Sequence, residues 1–132
     1  MRFGLPLVLL LAVLAAGCSS GEPSTYKAEG TAKCLSGKGY RVTTDPAHVG
    51  VIAAAAPNGG LRAFEPGNAV TIAFAADAND AIATGRAFKR FAPKRLRTHI
   101  TDVMRTQKNA VLLWTVTPPI EEQNKVFGCL KG

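Results

Sequence analysis

Residues 111–117, Val-Leu-Leu-Trp-Thr-Val-Thr, constrain the fold most. As an extended segment they are apolar on both sides, Val111 and Leu113 against Leu112, Trp114 and Val116. A strand of that kind loses free energy at a solvent-facing edge, so it is expected near the centre of a sheet. Its partners are visible upstream. Residues 61–64 and 69–75 flank Glu65-Pro66-Gly67-Asn68 and predict a hairpin. In the second arm Val70, Ile72 and Phe74 share one face. Thr71, Ala73 and Ala75 share the other, a tight surface for a neighbour to approach. Residues 40–43 alternate and predict a short strand. The second half of 94–107 predicts a strand turning at Gln107-Lys108-Asn109, with a short helix as the alternative reading. Asp45-Pro46 marks a turn. Residues 49–56 are apolar without a clear period and read as an extended or irregular packed segment.

Three helices complete the pattern. Residues 25–36 place Ala28, Thr31, Ala32 and Leu35 on one face, and Glu29 precedes Lys33 in the favourable i,i+4 order. Asp77 is a side-chain N-cap for a helix that Pro93 ends, with Ala78, Ala81, Ile82, Gly85 and Phe88 as its apolar stripe. Thr117-Pro118 matches an N-cap followed by proline at the first helical position. Val126, Cys129 and Leu130 form the inner stripe of that last helix. The expectation is one α+β domain over residues 25–132, an antiparallel sheet with helices packed on one face in a two-layer sandwich.

The N-terminus has another character. Met1-Arg2 is followed by 14 almost wholly apolar residues, 3–16, then Gly17-Cys18-Ser19-Ser20. The run is shorter than the ~20 residues that span a bilayer. A basic start, an apolar centre and small residues before a junction describe an export signal. With Ala16 and Gly17 before Cys18, the stretch resembles the lipobox of bacterial lipoproteins. That resemblance covers only the first 20 residues. It implies cleavage before Cys18, a signal peptide over 1–17, a lipidated Cys18 with a polar tether over 18–24, and a membrane anchor of acyl chains. Two chains anchor stably at ~0.8 kcal/mol per buried methylene. Ser19, where an Asp marks inner-membrane retention in that family, implies the outer membrane if the organism has one. The resemblance assigns the chain to the cell envelope, outside the cytoplasm.

A lipid on Cys18 leaves Cys34 and Cys129 as a pair, and export implies an oxidising compartment. A bridge closing 95 residues stabilises by roughly 4–5 kcal/mol in the chain-entropy picture. Cleavage removes Arg2 and takes the formal charge from +7 to +6. The positive charge is concentrated. Arg86, Lys89, Arg90, Lys94, Arg95, Arg97, Arg105 and Lys108 crowd into residues 86–108, opposed by Asp102 alone and interleaved with Phe88 and Phe91. In a membrane-tethered protein the first six predict contact with anionic lipid or an anionic envelope polymer. The plainer reading of the same residues is a solvated helix end. Export puts most nucleic acid out of reach.

Catalytic chemistry has little to work with. Asp45 and His48 can meet across a turn and orient an imidazole for general-base work. No Gly-x-Ser-x-Gly elbow accompanies them. His99 falls in the basic segment, and no metal-ligand spacing links the two histidines. Asp77, Asp80, Glu121 and Glu122 read as residues of helix starts. No cofactor or metal is called for. The expectation is a non-enzymatic interaction or binding domain. A hydrolase using His48 with Asp45, or a ligand or metal carrier built on the open face of the sheet, are the alternatives.

Overall fold

A computed structural model describes residues 25–132. The signal peptide expected over 1–17, Cys18 and the tether expected over 18–24 lie outside the described residues. Five strands form one sheet: β1 (Arg41–Thr43), β2 (Gly60–Glu65), β3 (Asn68–Phe74), β4 (Met104–Gln107) and β5 (Ala110–Trp114), in the order β1-β2-β3-β5-β4. Every neighbouring pair is antiparallel. The hairpin of β2 and β3 turns on Pro66-Gly67, so Glu65 faces Asn68 and Arg62 faces Thr71. β5 lies inside the sheet between β3 and β4. Its Val111 and Leu112 are both fully buried, as a strand apolar on both sides requires.

One face of the sheet carries Leu61, Ala63, Val70, Ile72, Phe74, Ala110, Leu112 and Trp114. It packs against α1 (Ala28–Gly37) and α7 (Ile120–Phe127) through Leu35 and Val126. Phe127 sets its ring edge toward Trp114, centroids 6.5 Å apart. Cys34 on α1 and Cys129 just beyond α7 form a disulfide, their Cα atoms 5.3 Å apart. The C-terminal strap reinforces it. Lys27 N donates to Lys131 O at 2.7 Å, and Lys131 N donates to the Thr31 hydroxyl at 3.1 Å.

The α+β class, the single domain and the antiparallel sheet are as expected, but the layering is not. Helices cover both faces. α3 (Val51–Ala54) and α4 (Ala78–Phe91) bury Ala53, Ala81 and Phe88 against Ala73, Ala75 and Val111 on the second face. The small side chains of β3 allow that approach. At Gly60 an added Cβ would collide with the Ala53 backbone and side chain. A two-layer sandwich would have left Val111 and Ala73, both fully buried here, in water.

Several local readings shift. Residues 49–56 are not extended. Asp45 caps α2 (Pro46–Val49), accepting from Ala47 N at 2.9 Å, and the chain breaks at Gly50 (φ 87°) into α3. Ile82 is 53% exposed and leaves the inner stripe of α4 to Ala81, Gly85 and Phe88. The cap of α4 is as read, Asp77 Oδ1 accepting from Asp80 N at 2.8 Å. The segment 94–107 contains both alternatives: α5 (Lys94–Arg97), α6 (Ile100–Val103) and then β4. α7 starts two residues after Pro118, with Pro119 at its N-cap and no side-chain cap.

Candidate functional site

The six cations singled out above lie at the end of α4 and on α5, and all are exposed. Arg86, Lys89 and Arg90 share one side of α4 by helical spacing. Among the described residues the ion pairs are Glu29–Lys33, at 3.9 Å, and Asp45–His48. None involves this segment. Arg97 is tied back, its Nε donating to Ala92 O at 3.0 Å. Arg105, from the same run of sequence, is spent on structure: it donates to Gln123 Oε1 at 3.0 Å and to the carbonyls of Thr101 and Met104. Five like charges thus face water with no acid beside them, and Phe91, 71% exposed, stands among them.

Phe91 also forms the rim of a groove. α3 and α4 cross the second face of the sheet without closing over it. The cavity between them, about 520 Å³, has Arg62, Thr71 and Leu113 as its floor. Val49, Ile52, Ala53, Phe88 and Phe91 wall it, and Val51, 87% exposed, stands at its mouth. The same three floor residues continue into a second cleft of about 330 Å³, walled by Pro93, Leu96 and Thr115 with Arg95 at its edge. Neither cleft is lined by a carboxylate. Arg62 is the polar centre of this surface. Its Nε is buried with no hydrogen-bond partner, and its guanidinium lies 5.1 Å from the Phe64 ring centroid. A buried donor without an acceptor costs on the order of 1–3 kcal/mol, more when charged.

A larger cavity, about 680 Å³, lies where α1, α2 and the turn at Asn58-Gly59 meet. Three charged residues line it, and two of them, Glu29 and Lys33, already pair with each other while Lys27 is the third.

Asp45 and His48 do meet, Nδ1 to Oδ2 at 3.1 Å, with side chains 53% and 69% exposed. The other oxygen of Asp45 caps α2. Neither residue lines the grooves described above. His99 is exposed in the bend between α5 and α6 rather than on a strand. Among the described residues no group of three His, Cys, Asp or Glu side chains is placed to hold a metal.

The sheet brings together one constellation that sequence spacing hides. Glu122, in the first turn of α7 and 9% exposed, meets Glu65 at the end of β2, with Asn68 and the Trp114 indole alongside. Burial first, and the Glu65 carboxyl second, raise the Glu122 pKa from 4.5 to about 7. The α7 dipole favours a carboxylate here by about 0.3–1 kcal/mol, which does not offset the loss of water. The Tyr40 hydroxyl is pushed above its usual range by burial and by both glutamates. Tyr40 and Trp114 each bury their polar atom without a well-formed hydrogen bond.

Arg62 and the Glu65–Glu122 pair had a partial signal. Alternation from Leu61 to Ala63 puts Arg62 on the opposite face, and the two-residue hairpin loop sets it against Thr71. Nothing local says that α7 returns over Glu65. No family model, curated protein or solved structure matches the chain.

Proposed function

We propose that this chain is a small lipoprotein of the bacterial envelope, held on the membrane by a lipidated Cys18, whose domain is a non-enzymatic module that docks on anionic lipid through α4 and α5. The anchor rests on the lipobox-like N-terminus. The docking surface rests on one observation. Arg86, Lys89, Arg90, Lys94 and Arg95 are exposed, lack ion pairs among the described residues and flank the exposed ring of Phe91. Arg86 and Arg90 repel one another across one helical turn, which costs a few tenths of a kcal/mol unless an anion lies between them. Near an anionic leaflet each cation contributes ~1 kcal/mol, and an aromatic ring seats at the headgroup level. A tether over residues 18–24 keeps this surface within reach of the membrane.

The test is capture of a second set of vesicles, containing phosphatidylserine, by the chain already anchored in a first set. Replacing the five cations by Ala is expected to weaken binding by at least two orders of magnitude at low salt. Binding unchanged by the five substitutions removes the docking surface. A hydrolase is the second reading, favoured by the 3.1 Å Asp45–His48 contact. It requires an esterase or amidase activity that is lost in His48→Ala; activity surviving that change ends it.

A further inference from the structure

We propose that the groove between α3 and α4 is a binding site for a single-chain anionic amphiphile, its acid group held by Arg62 and its alkyl chain lying under Phe88 and Phe91. This site is on the second face of the sheet; it shares Phe91 and Arg95 with the basic surface but none of Arg86, Lys89, Arg90 and Lys94.

Shape, polarity and charge point the same way. The 520 Å³ cavity is within the roughly 300–1,000 Å³ range of small-molecule sites. Its walls, Val49, Ile52, Ala53, Phe88 and Phe91, offer an alkyl chain continuous apolar contact. The floor is low because Thr71 is small, and Arg62 is the one charged side chain in its lining. The second cleft shares Arg62, Thr71 and Leu113 with the first and adds Arg95 to its lining. A carboxylate or phosphate set where the two clefts meet is near Arg62, which lines both, with Arg95 in the lining of the second. Guanidinium binds such anions through paired, charge-assisted hydrogen bonds. No carboxylate lines either cleft, so neither offers a cationic head an ion-pair partner. One apolar arm admits one chain. The exposure of Val51 and Phe91 at the mouth is accounted for by the same ligand, whose chain would cover part of both.

The head could come from a free fatty acid or from a lysophospholipid, which present the same chemistry to Arg62. A palmitate analogue carrying a diazirine at its chain end distinguishes them. Membranes holding the full chain are equilibrated with the probe and irradiated, and adducts are mapped by peptide mass spectrometry. Adducts are expected on the peptides bearing Ile52, Phe88 and Phe91. Excess palmitate displacing the probe more strongly than lysophosphatidic acid identifies a fatty acid, and the reverse order a lysophospholipid. Hexadecanol, which lacks the charge, is expected to compete about tenfold less well, as one charge-assisted hydrogen bond implies. Arg62→Met should lower labelling about tenfold, and Arg62→Lys should recover part of it. Thr71→Trp fills the floor and should abolish labelling. If that variant loses the Cys34–Cys129 bridge, Arg62→Met alone decides. Adducts spread equally over Ile82, Val116 and Ile120, the other exposed apolar side chains, overturn the proposal. So does equal competition by hexadecanol, or unchanged labelling in Arg62→Met. Arg62→Met, Arg62→Lys and Thr71→Trp alter none of the five cations replaced in the vesicle measurement, so failure here and failure there are separate results.

Discussion

The Asn109 side chain clasps the Tyr26 backbone across 83 residues of sequence. Tyr26 N donates to Asn109 Oδ1 at 2.7 Å, and Asn109 Nδ2 donates to Tyr26 O at 2.9 Å and to Ala75 O at 2.8 Å. Asn109 is 1% exposed. The amide therefore joins the entry of the chain, the end of β3 and the β4–β5 turn. Asn109→Ala leaves several buried backbone groups without partners and is expected to cost roughly 2–4 kcal/mol. Asn109→Asp, which keeps the acceptor and loses the donor, is expected to cost nearly as much. Denaturant titration of the two variants checks this; a loss below about 0.5 kcal/mol in both contradicts it.

Glu122 makes stability depend on pH. Its pKa is about 7 in the fold against 4.5 for the unreacted side chain. The folded state then holds a proton that the unfolded state has released, so stability falls as pH rises through that window. Above it, the ionised carboxyl remains a fixed cost. Glu122→Gln is expected to raise stability at about pH 8 by on the order of 1–2 kcal/mol, after allowance for solvent near the site, and to change little at about pH 4. Thermal melts across that range read it directly. A stability that rises with pH equally in both proteins contradicts the burial of Glu122.

The disulfide closes the domain between its first and last helices. Replacing Cys34 and Cys129 together by Ser should lower stability by about 3–5 kcal/mol. Dithiothreitol should bring the native chain to the same value. An unchanged midpoint in the double variant shows that the strap of hydrogen bonds from Lys131 to Lys27 and Thr31 holds the ends unaided.

Gly60 sets the depth of the groove. Because α3 touches it backbone to backbone, Gly60→Ala must push Ala53 outward. The expected cost is about 1–3 kcal/mol, together with faster hydrogen exchange over residues 51–55. Exchange that speeds equally in α1 and α7 means the whole fold has loosened and the contact is not local.

Most elements were legible because each rests on local chemistry: the Asp77 cap, the Pro66-Gly67 loop, the two-sided apolarity of β5. The face of the sheet on which helices lie was less so. Thr71, Ala73 and Ala75 announce a close neighbour without saying which. Only α3, a four-residue helix too short to show a period, together with α4 supplies it. Segment 49–56 was misread for the same reason, since alanines give no stripe. In the candidate sites the cations of α4 and α5 stand in one run of sequence and were seen. Arg62 with Thr71, and Glu65 with Glu122, are joined by strand pairing and by the return of α7, which residue spacing does not carry.

The anchor has its own test. Metabolic labelling with a fatty-acid analogue should mark the native chain and fail in Cys18→Ser, which should leave the membrane fraction. Membrane retention of the unlabelled variant contradicts lipid anchoring at Cys18.

The docking claim is tested most directly by the salt dependence of binding to vesicles of defined charge. The native chain, already held by its anchor in one set of vesicles, should bridge to a second set containing phosphatidylserine at low ionic strength. It should release them as salt is raised and ignore vesicles of phosphatidylcholine alone. Bridging that is indifferent to salt, or equal for the two lipids, would contradict an anionic-lipid surface on α4 and α5.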